Sequence, residues 1–587
     1  MKTLLIISVL LLVCLSPKAQ YYLRGEIRDD SNNPLANVKI QLHSSGYLYY
    51  SGSMGGFGIT LPSPMDSLTI SADGFYGTCL AVNADKYQKI VLKPRFAPAP
   101  KPENRLMSLT KNLSADELST WTVASETYSS LVENEFLPTA RYPETGFAIN
   151  VNKASYSNIR RFLNMNNFVP PDAIRIEEML NYFHYNYQAP GQDSMFSVRS
   201  ALSSCPWSIN NQLLFLQVCA KKADMDSIPP ANLVFLIDVS GSMDLPNRLP
   251  LLKSAFSLMV NNLRPQDTVS IVVYGGTNGV WLTPTSGGEK KKILESIAQL
   301  EAGGATPGES GIRAAYRLAK SQYIKGGTNR VILATDGDFN VGERSEDELN
   351  RLISSYRSSD IYLTCLGVGM GNYKDSKLEV LANRGKGNFA YLDNEKEAEK
   401  VLMEEFAQTI YAVAKDAYID LSFDQNQVKS YRLIGFENKL NALADTSNVL
   451  QGGEIGSGHT LMALVEIEPN HPADSGRITG PLAEMNLHYQ LPHTDSSIAE
   501  HYALTEQPAR FDSLSRAYRF SSSVALFGTM LKNSSYAGKT SWEDLIKMSL
   551  ACYDPADVSQ AEFIKLLDQA KKIYHKAKKK KPTQTEY

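Results

Sequence analysis

Five oxygen-bearing side chains have the types and the spacing of a divalent-cation site. Asp238, Ser240 and Ser242 form a D-x-S-x-S pattern where the apolar run ANLVFLID ends. Thr306 lies in the glycine-rich stretch GGATPGESG, and Asp336 ends the apolar run RVILATD. Carboxylate and hydroxyl oxygens suit a hard cation such as Mg²⁺, which prefers octahedral oxygen geometry. The sequence therefore predicts a site for Mg²⁺, or for Mn²⁺, which accepts the same ligands.

The chemistry expected of such a site is binding. Only two carboxylates are present among the five side chains, so a bound cation would stay electrophilic and could accept a carboxylate from a partner. Gly241, Gly337 and Asp338 are expected to surround the ligands. For Asp338, a surface turn is the favoured alternative to a hydrogen-bond acceptor beside the metal.

Motifs of catalysis are missing from the sequence. It contains neither the H-E-x-x-H pattern of zinc peptidases nor the G-x-S-x-G pattern of serine hydrolases. Ser240 and Ser242 have no base beside them in sequence, so they are poor nucleophile candidates. The stretch YAGKTSW lacks the first glycine of a phosphate-binding loop. The prediction is a protein that is not an enzyme.

The elements that must position these residues alternate between strand and helix over 230–415. Four of the strands are continuous apolar runs, as buried parallel strands should be. The helices between them are amphipathic. This alternation predicts a doubly wound α/β sheet, with Asp238 and Asp336 at the carboxyl ends of strands, where ligands bind in such folds.

The whole chain of 587 residues is long enough for three or four domains. The flanks of the α/β region differ in pattern: short alternating strands with turn signals come first, and strands followed by helices come last. The predicted boundaries are a signal peptide over 1–19, an all-β sandwich over 20–94, a Pro-rich linker over 95–130, a mixed region over 131–229, the α/β domain over 230–415, a β-rich region over 416–507, a helical region over 508–577 and a basic tail over 578–587.

The first segment predicts export. Lys2 precedes an apolar run from Leu4 to Leu15, which is too short to span a bilayer, and Ala19 suits a cleavage site. A lipoprotein anchored at Cys14 is the minority alternative. No later apolar run is long enough to cross a membrane, so the mature protein is expected in the periplasm or at the cell surface.

Composition narrows the partners. A formal net charge of −3 gives no indication of a nucleic-acid partner. The basic tail could touch an anionic membrane surface, although a solvated helix end is the favoured reading. Cys205 and Cys219 flank a possible hairpin, where an oxidising compartment would permit a disulfide.

The five candidate ligands resemble the metal-ion-dependent adhesion site of von Willebrand factor type A (VWA) domains. All five positions occur here in the order of that family. The resemblance implies that Ser240 and Ser242 ligate directly, that Asp238, Thr306 and Asp336 ligate directly or through water, and that the sixth position takes water or an acidic residue of the partner.

Two further resemblances extend the match. The chain is also similar to an uncharacterised bacterial family of exported proteins, which have characteristic regions on both sides of a VWA domain. The similarity lies in the stretches VPPDAIRIEEMLNYF, PPANLVFLIDVSGSM and YRLIGFEN. Residues 20–94 resemble the carboxypeptidase-regulatory-like β-sandwich. One departure is that Pro307 and Glu309 stand beside Thr306, where small or polar residues are expected.

These observations predict a cell-envelope binding protein that uses a divalent cation to capture an acidic group of a protein partner, in adhesion or envelope assembly. Two alternatives stay open. The protein could be structural, with the metal only stabilising the VWA domain, or it could be an accessory subunit of an envelope enzyme.

Overall fold

The structure is a computed structural model with two compact units, Met1–Pro98 and Ala99–Tyr587. It describes residues 21–30, 32–72, 75–93, 126–224, 228–275, 279–304, 308–337, 351, 353–356, 360–370, 373–405, 408, 410, 411–436, 452–470, 480–492, 494 and 496–578, with the backbone alone at 309 and 576–578. The predicted signal peptide, most of the predicted linker and the end of the basic tail lie outside these residues.

The first unit is built from strands in two sheets. Its strands are β1 (Tyr21–Asp29), β2 (Lys39–Leu42), β3 (Leu48–Tyr50), β4 (Gly56–Leu61), β5 (Met65–Ser71), β6 (Thr78–Asn83) and β7 (Gln88–Leu92). They form a three-stranded sheet in the order β4-β1-β7 and a four-stranded sheet in the order β3-β2-β5-β6. Alternate residues such as Leu23, Ile40 and Ile59 are buried between the sheets, because side chains of a strand point to opposite faces. The all-β prediction for this segment is confirmed.

The second unit carries the remaining elements. Its strands are β8 (Leu137–Pro138), β9 (Glu144–Ala148), β10 (Phe196–Cys205), β11 (Ser208–Ala220), β12 (Ala231–Asp238), β13 (Thr268–Tyr274), β14 (Gly279–Ser286), β15 (Thr328–Thr335), β16 (Ile361–Val368), β17 (Lys386–Leu392), β18 (Ala412–Phe423), β19 (Val428–Ile434), β20 (Gly453–Gly456), β21 (Thr460–Pro469), β22 (Ala483–Gln490) and β23 (Ser497–Leu504). Its helices include α1 (Ala154–Asn164), α2 (Ile176–Asn181), α3 (Leu249–Val260), α4 (Lys290–Ala298), α5 (Gly308–Ser321), α6 (Asp375–Arg384), α7 (Glu395–Glu399), α8 (Arg516–Leu531), α9 (Trp542–Leu550) and α10 (Val558–Lys578).

The central sheet has six strands in the order β14-β13-β12-β15-β16-β17. All neighbouring pairs are parallel except β13 and β14, which are antiparallel. Every residue of β12 is buried, as expected for a strand covered by helices on both faces. The predicted doubly wound α/β domain is confirmed, with an antiparallel edge at β14.

Two further sheets each contain strands from the segment before the α/β domain and from the segment after it. One sheet has the order β10-β11-β21-β19-β8, and β18 in the other pairs with β22 on one side and with β9 and β20 on the other. Leu214, Leu216, Ala463 and Leu487 belong to one apolar core that includes residues of both sheets. Strands that are more than 200 residues apart in the chain therefore share this sandwich, and the α/β domain is an insertion between its two parts.

A helical layer covers the other face of the first of these sheets. Phe215 and Leu464 alternate along their strands with residues of the sandwich core, so their side chains lie on the opposite face. There they pack with residues of α1, α2, α8 and α10. Tyr182, Phe183 and Tyr185 are buried in this layer, which supports a packing role for this aromatic cluster.

The cysteines in the described part of the chain are all thiols. Strand pairing places Cys205 opposite Ser208, near the hairpin turn, and Cys219 opposite Ser197, at the far end of the hairpin. The two are therefore too far apart for the disulfide that the sequence permitted. Among the described residues, no helix has the length and apolar character needed to cross a membrane.

His459 lies where the α/β domain meets the sandwich, and it gives a pH prediction. Its Nε2 is 2.9 Å from the carbonyl oxygen of Ile149, and burial, with Lys153 nearby, lowers the pKa of His459 to about 4. Unfolded histidine titrates near 6.5. Between pH 6.5 and 4 the unfolded state therefore binds more protons than the folded state, and the free energy of unfolding decreases as the pH is lowered. The ring keeps partial exposure, so the loss is at most about 3 kcal/mol.

The measurement is urea unfolding of the wild type and of His459→Gln at pH 7.5 and pH 4.5. We expect the wild type to lose more free energy of unfolding than the variant as the pH falls. Equal losses in both proteins would contradict the prediction.

Candidate metal centre

Two neighbouring strands bring the predicted carboxylates to one edge of the central sheet. β12 and β15 are parallel neighbours, with Ile237 paired to Ala334. Asp238 and Asp336 follow those positions at the carboxyl ends of the strands, and their exposed fractions are 1% and 0%. Sequence reasoning predicted this placement correctly, because carboxyl ends of adjacent parallel strands meet at one edge.

Asp238 is held rigidly by three donors. Its Oδ1 accepts a hydrogen bond from the Ser240 backbone N–H at 2.9 Å, and its Oδ2 accepts from the Tyr274 hydroxyl at 3.1 Å and the Thr335 hydroxyl at 2.9 Å. Burial raises the pKa of Asp238, and the negative charge of Asp336 raises it further. A cation at this point would offset both effects, because it favours the charged carboxylate.

The serines lie side by side in the loop after β12. Ser240 Oγ and Ser242 Oγ are 3.1 Å apart. Adjacent ligands of an octahedral Mg²⁺ with bonds of about 2.0–2.1 Å are roughly 2.9 Å apart, so the two hydroxyls fit neighbouring positions of one shell. Backbone hydrogen bonds tie this loop to the loop after α4: the Gly241 N–H donates to the Gly304 carbonyl at 3.0 Å.

Gly275, which follows β13, leaves the space in which Ser240 lies. Its φ is +110°, and a Cβ there would be 2.4 Å from the Ser240 nitrogen and 2.9 Å from Asp238 Oδ1. Only glycine combines this backbone conformation with such close approach. The loop geometry therefore depends on a residue that carries no ligand atom.

Arg248, just before α3, is one of three residues at the site that sequence reasoning missed. Its Nη1 donates to Asp336 Oδ2 at 2.6 Å and to the Ser242 carbonyl at 2.7 Å, and its Nη2 donates to the Met370 carbonyl at 2.9 Å. Tyr274 and Thr335 were also missed. No spacing rule connects these three residues to D-x-S-x-S, because they reach the site from separate elements.

The structure describes some of the other predicted site residues and not others. Thr306 and Asp338 lie outside the described residues, as does the side chain of Glu309. Gly241 is exposed in the serine loop, and Gly337, with φ +90°, donates its N–H to the Thr335 hydroxyl at 3.2 Å. Across the residues described, no group of three or more His, Cys, Asp or Glu side chains could hold a metal.

Three family models match consecutive parts of the chain. The model described as von Willebrand factor matches residues 122–215, the von Willebrand factor type A domain matches 232–404, and the C-terminal region of the uncharacterised protein YfbK matches 408–573. Together they lie between residues 122 and 573 of the second unit, and they separate the α/β domain from its flanks.

Individual proteins are also similar to this chain. The uncharacterised protein YfbK of Escherichia coli (strain K12) is 34% identical over 467 residues, which are 76% of this chain and 80% of that protein. Inter-alpha-trypsin inhibitor heavy chain H4 of Homo sapiens is 25% identical over 48% of this chain, which spans only 28% of that protein. A solved von Willebrand factor type A structure from Catenulispora acidiphila covers 66% of this chain and 91% of its own, with 15% identity and a TM-score of 0.40. Because YfbK is 34% identical over 76% of this chain, the chain belongs to the YfbK family, with a von Willebrand factor type A domain at its centre.

Proposed function

We propose that this protein is a non-enzymatic binding protein of the cell envelope. A divalent cation would be held by Asp238, Ser240, Ser242, Thr306 and Asp336, and it would let the site bind an Asp or Glu side chain of a protein partner. The observation that carries the proposal is the pair of serine hydroxyls 3.1 Å apart, beside a buried carboxylate fixed by three donors. Mg²⁺ held by these residues would supply an electrophilic centre for an oxygen ligand.

The surroundings of the serines support binding over catalysis. In the described part of the chain no histidine hydrogen-bonds to either hydroxyl, so these serines do not form the serine–histidine pair that activates a nucleophile in many hydrolases. The proposed location in the periplasm or at the cell surface rests on the sequence pattern of residues 1–19.

A structural role for the metal is the second candidate. Asp238 and Asp336 are both buried, and the charge of Asp336 raises the pKa of Asp238. A cation bound only to the folded state would stabilise the domain even without a partner. This reading predicts that chelation lowers the melting temperature and that no protein is captured.

The test is a pull-down from envelope extract with the full-length mature protein, in Mg²⁺ and in EDTA, for the wild type and for Asp238→Ala. We expect a protein that elutes with EDTA and is absent with the variant. Asp244→Ala is the matched control, because it removes a partly exposed carboxylate from the same loop and should keep the partner. Proteins that stay bound under all conditions would contradict the metal bridge.

A further inference from the structure

We propose that Arg248 sets the charge of this site, so that a divalent cation binds weakly alone and is retained when an acidic ligand completes the site. The inference rests on the proposed function and concerns its regulation. Arg248 is a positioning residue, because its guanidinium would act on a bound cation through Asp336 and through its own charge.

The guanidinium is buried and fixed. Arg248 has an exposed fraction of 5% and forms an ion pair with Asp336, which is fully buried. Gly369, with φ +82°, packs against it so closely that a Cβ there would be 2.5 Å from Arg248 Nε. The Tyr391 hydroxyl donates to the Gly369 carbonyl at 2.5 Å, which holds that loop against the arginine. The positive charge is therefore a permanent part of the site.

The charges of the buried side chains at the site favour one kind of ligand over another. Asp238 and Asp336 contribute two negative charges and Arg248 one positive charge, so, counted over these three buried side chains alone, a divalent cation would leave an excess of one positive charge. One carboxylate from a ligand then neutralises the site. Without Arg248 the cation and the two aspartates already balance, so the cation would need no anionic ligand. Because charges interact strongly in a buried site, Arg248 disfavours the bare cation and favours a monocarboxylate.

The same arginine also orders the loops, and the two roles predict opposite results. Nη1 holds the Ser242 carbonyl, and Nη2 holds the Met370 carbonyl. If loop order is its whole contribution, removing the guanidinium loosens the ligands and weakens cation binding. If charge dominates, removing it strengthens cation binding.

The test measures Mn²⁺ binding by electron paramagnetic resonance, without a partner, for the wild type, Arg248→Met, Arg248→Gln and Arg248→Lys. We expect the two neutral variants to bind Mn²⁺ at least tenfold more tightly than the wild type. Arg248→Lys keeps the charge and should stay within about threefold. Adding acetate, with chloride as the ionic-strength control, should tighten Mn²⁺ binding in the wild type and leave the neutral variants almost unchanged.

Equal or weaker Mn²⁺ binding by Arg248→Gln, with circular dichroism and a melting temperature in EDTA like those of the wild type, would overturn the role of Arg248 and leave the proposed function standing. The glutamine variant serves as the second test if Arg248→Met does not fold. Loss of Mn²⁺ binding in every protein, the wild type included, would overturn the proposed function together with this inference.

Discussion

Replacing Arg160 with methionine is expected to lower the free energy of unfolding of the second unit by roughly 3–5 kcal/mol, the usual range for removing one partner of a buried ion pair. Arg160 lies on α1 with a side-chain exposure of 4%. It bonds to Asp393 after β17, to Glu397 on α7 at 2.7 Å and to Glu562 on α10 at 2.9 Å. One guanidinium thus joins the N-terminal flank, the VWA domain and the C-terminal helices.

The large loss of stability is expected because methionine would leave two buried carboxylates without their arginine partner. Asp393 and Glu397 are buried, with side-chain exposures of 6% and 3%. Even beside Arg160, burial raises the pKa of Asp393 to about 6. Without the arginine, Asp393 keeps its burial and loses its compensating positive charge, so its charged form is destabilising at pH 8. At pH 5 Asp393 can take up a proton, so the destabilisation by Arg160→Met should be smaller at pH 5 than at pH 8.

Urea unfolding at both pH values measures this effect. Lys291→Met is the matched control, because Lys291 and Glu295 are 3.9 Å apart with side-chain exposures of 91% and 60%. Surface pairs of this kind contribute little, so the control should unfold like the wild type. A destabilisation by Arg160→Met that is no larger than that of the control would show that the network does not hold the three segments together.

The local fold of the VWA domain was predictable, whereas the arrangement of its flanks was not. Apolar runs such as ANLVFLID indicate a buried parallel strand through composition and length alone. The pairing of β11 with β21, or of β9 with β18, depends on contacts between residues more than 200 positions apart. Alternation along a strand shows which face is buried, but it does not identify the strand beside it.

Some residues of the candidate site were likewise predictable from the sequence, and others were not. Asp238, Ser240 and Asp336 are predictable because they stand at strand ends or in a short motif. Arg248, Tyr274 and Thr335 fix those ligands from other elements, and their types and positions carry no separate signal. Buried polar groups need partners, so a partner for each aspartate could be expected, but only the fold identifies it.

Gly275→Ala is expected to weaken Mn²⁺ binding at least a hundredfold although Gly275 carries no ligand atom. An alanine Cβ would be 2.4 Å from the Ser240 nitrogen and 2.8 Å from its Cα, distances that force the backbone to move. A displacement of the Ser240 loop breaks the alignment of both serine hydroxyls, and metal sites need their ligands within about 0.5 Å of the productive geometry. Mn²⁺ binding by electron paramagnetic resonance measures the loss.

Gly326→Ala is the control that separates the steric clash from backbone strain. Both glycines have positive φ, but only Gly275 has neighbouring atoms where a Cβ would lie. Gly326 has φ +74°, and a Cβ there would meet nothing within 4 Å. Alanine at either position costs about 1 kcal/mol or more in the left-handed region, so both variants should lose some stability in EDTA. Gly326→Ala should keep the wild-type affinity for Mn²⁺. If it lost Mn²⁺ binding as severely as Gly275→Ala, general destabilisation would explain both results, and the serine loop would not be the element that Gly275 protects.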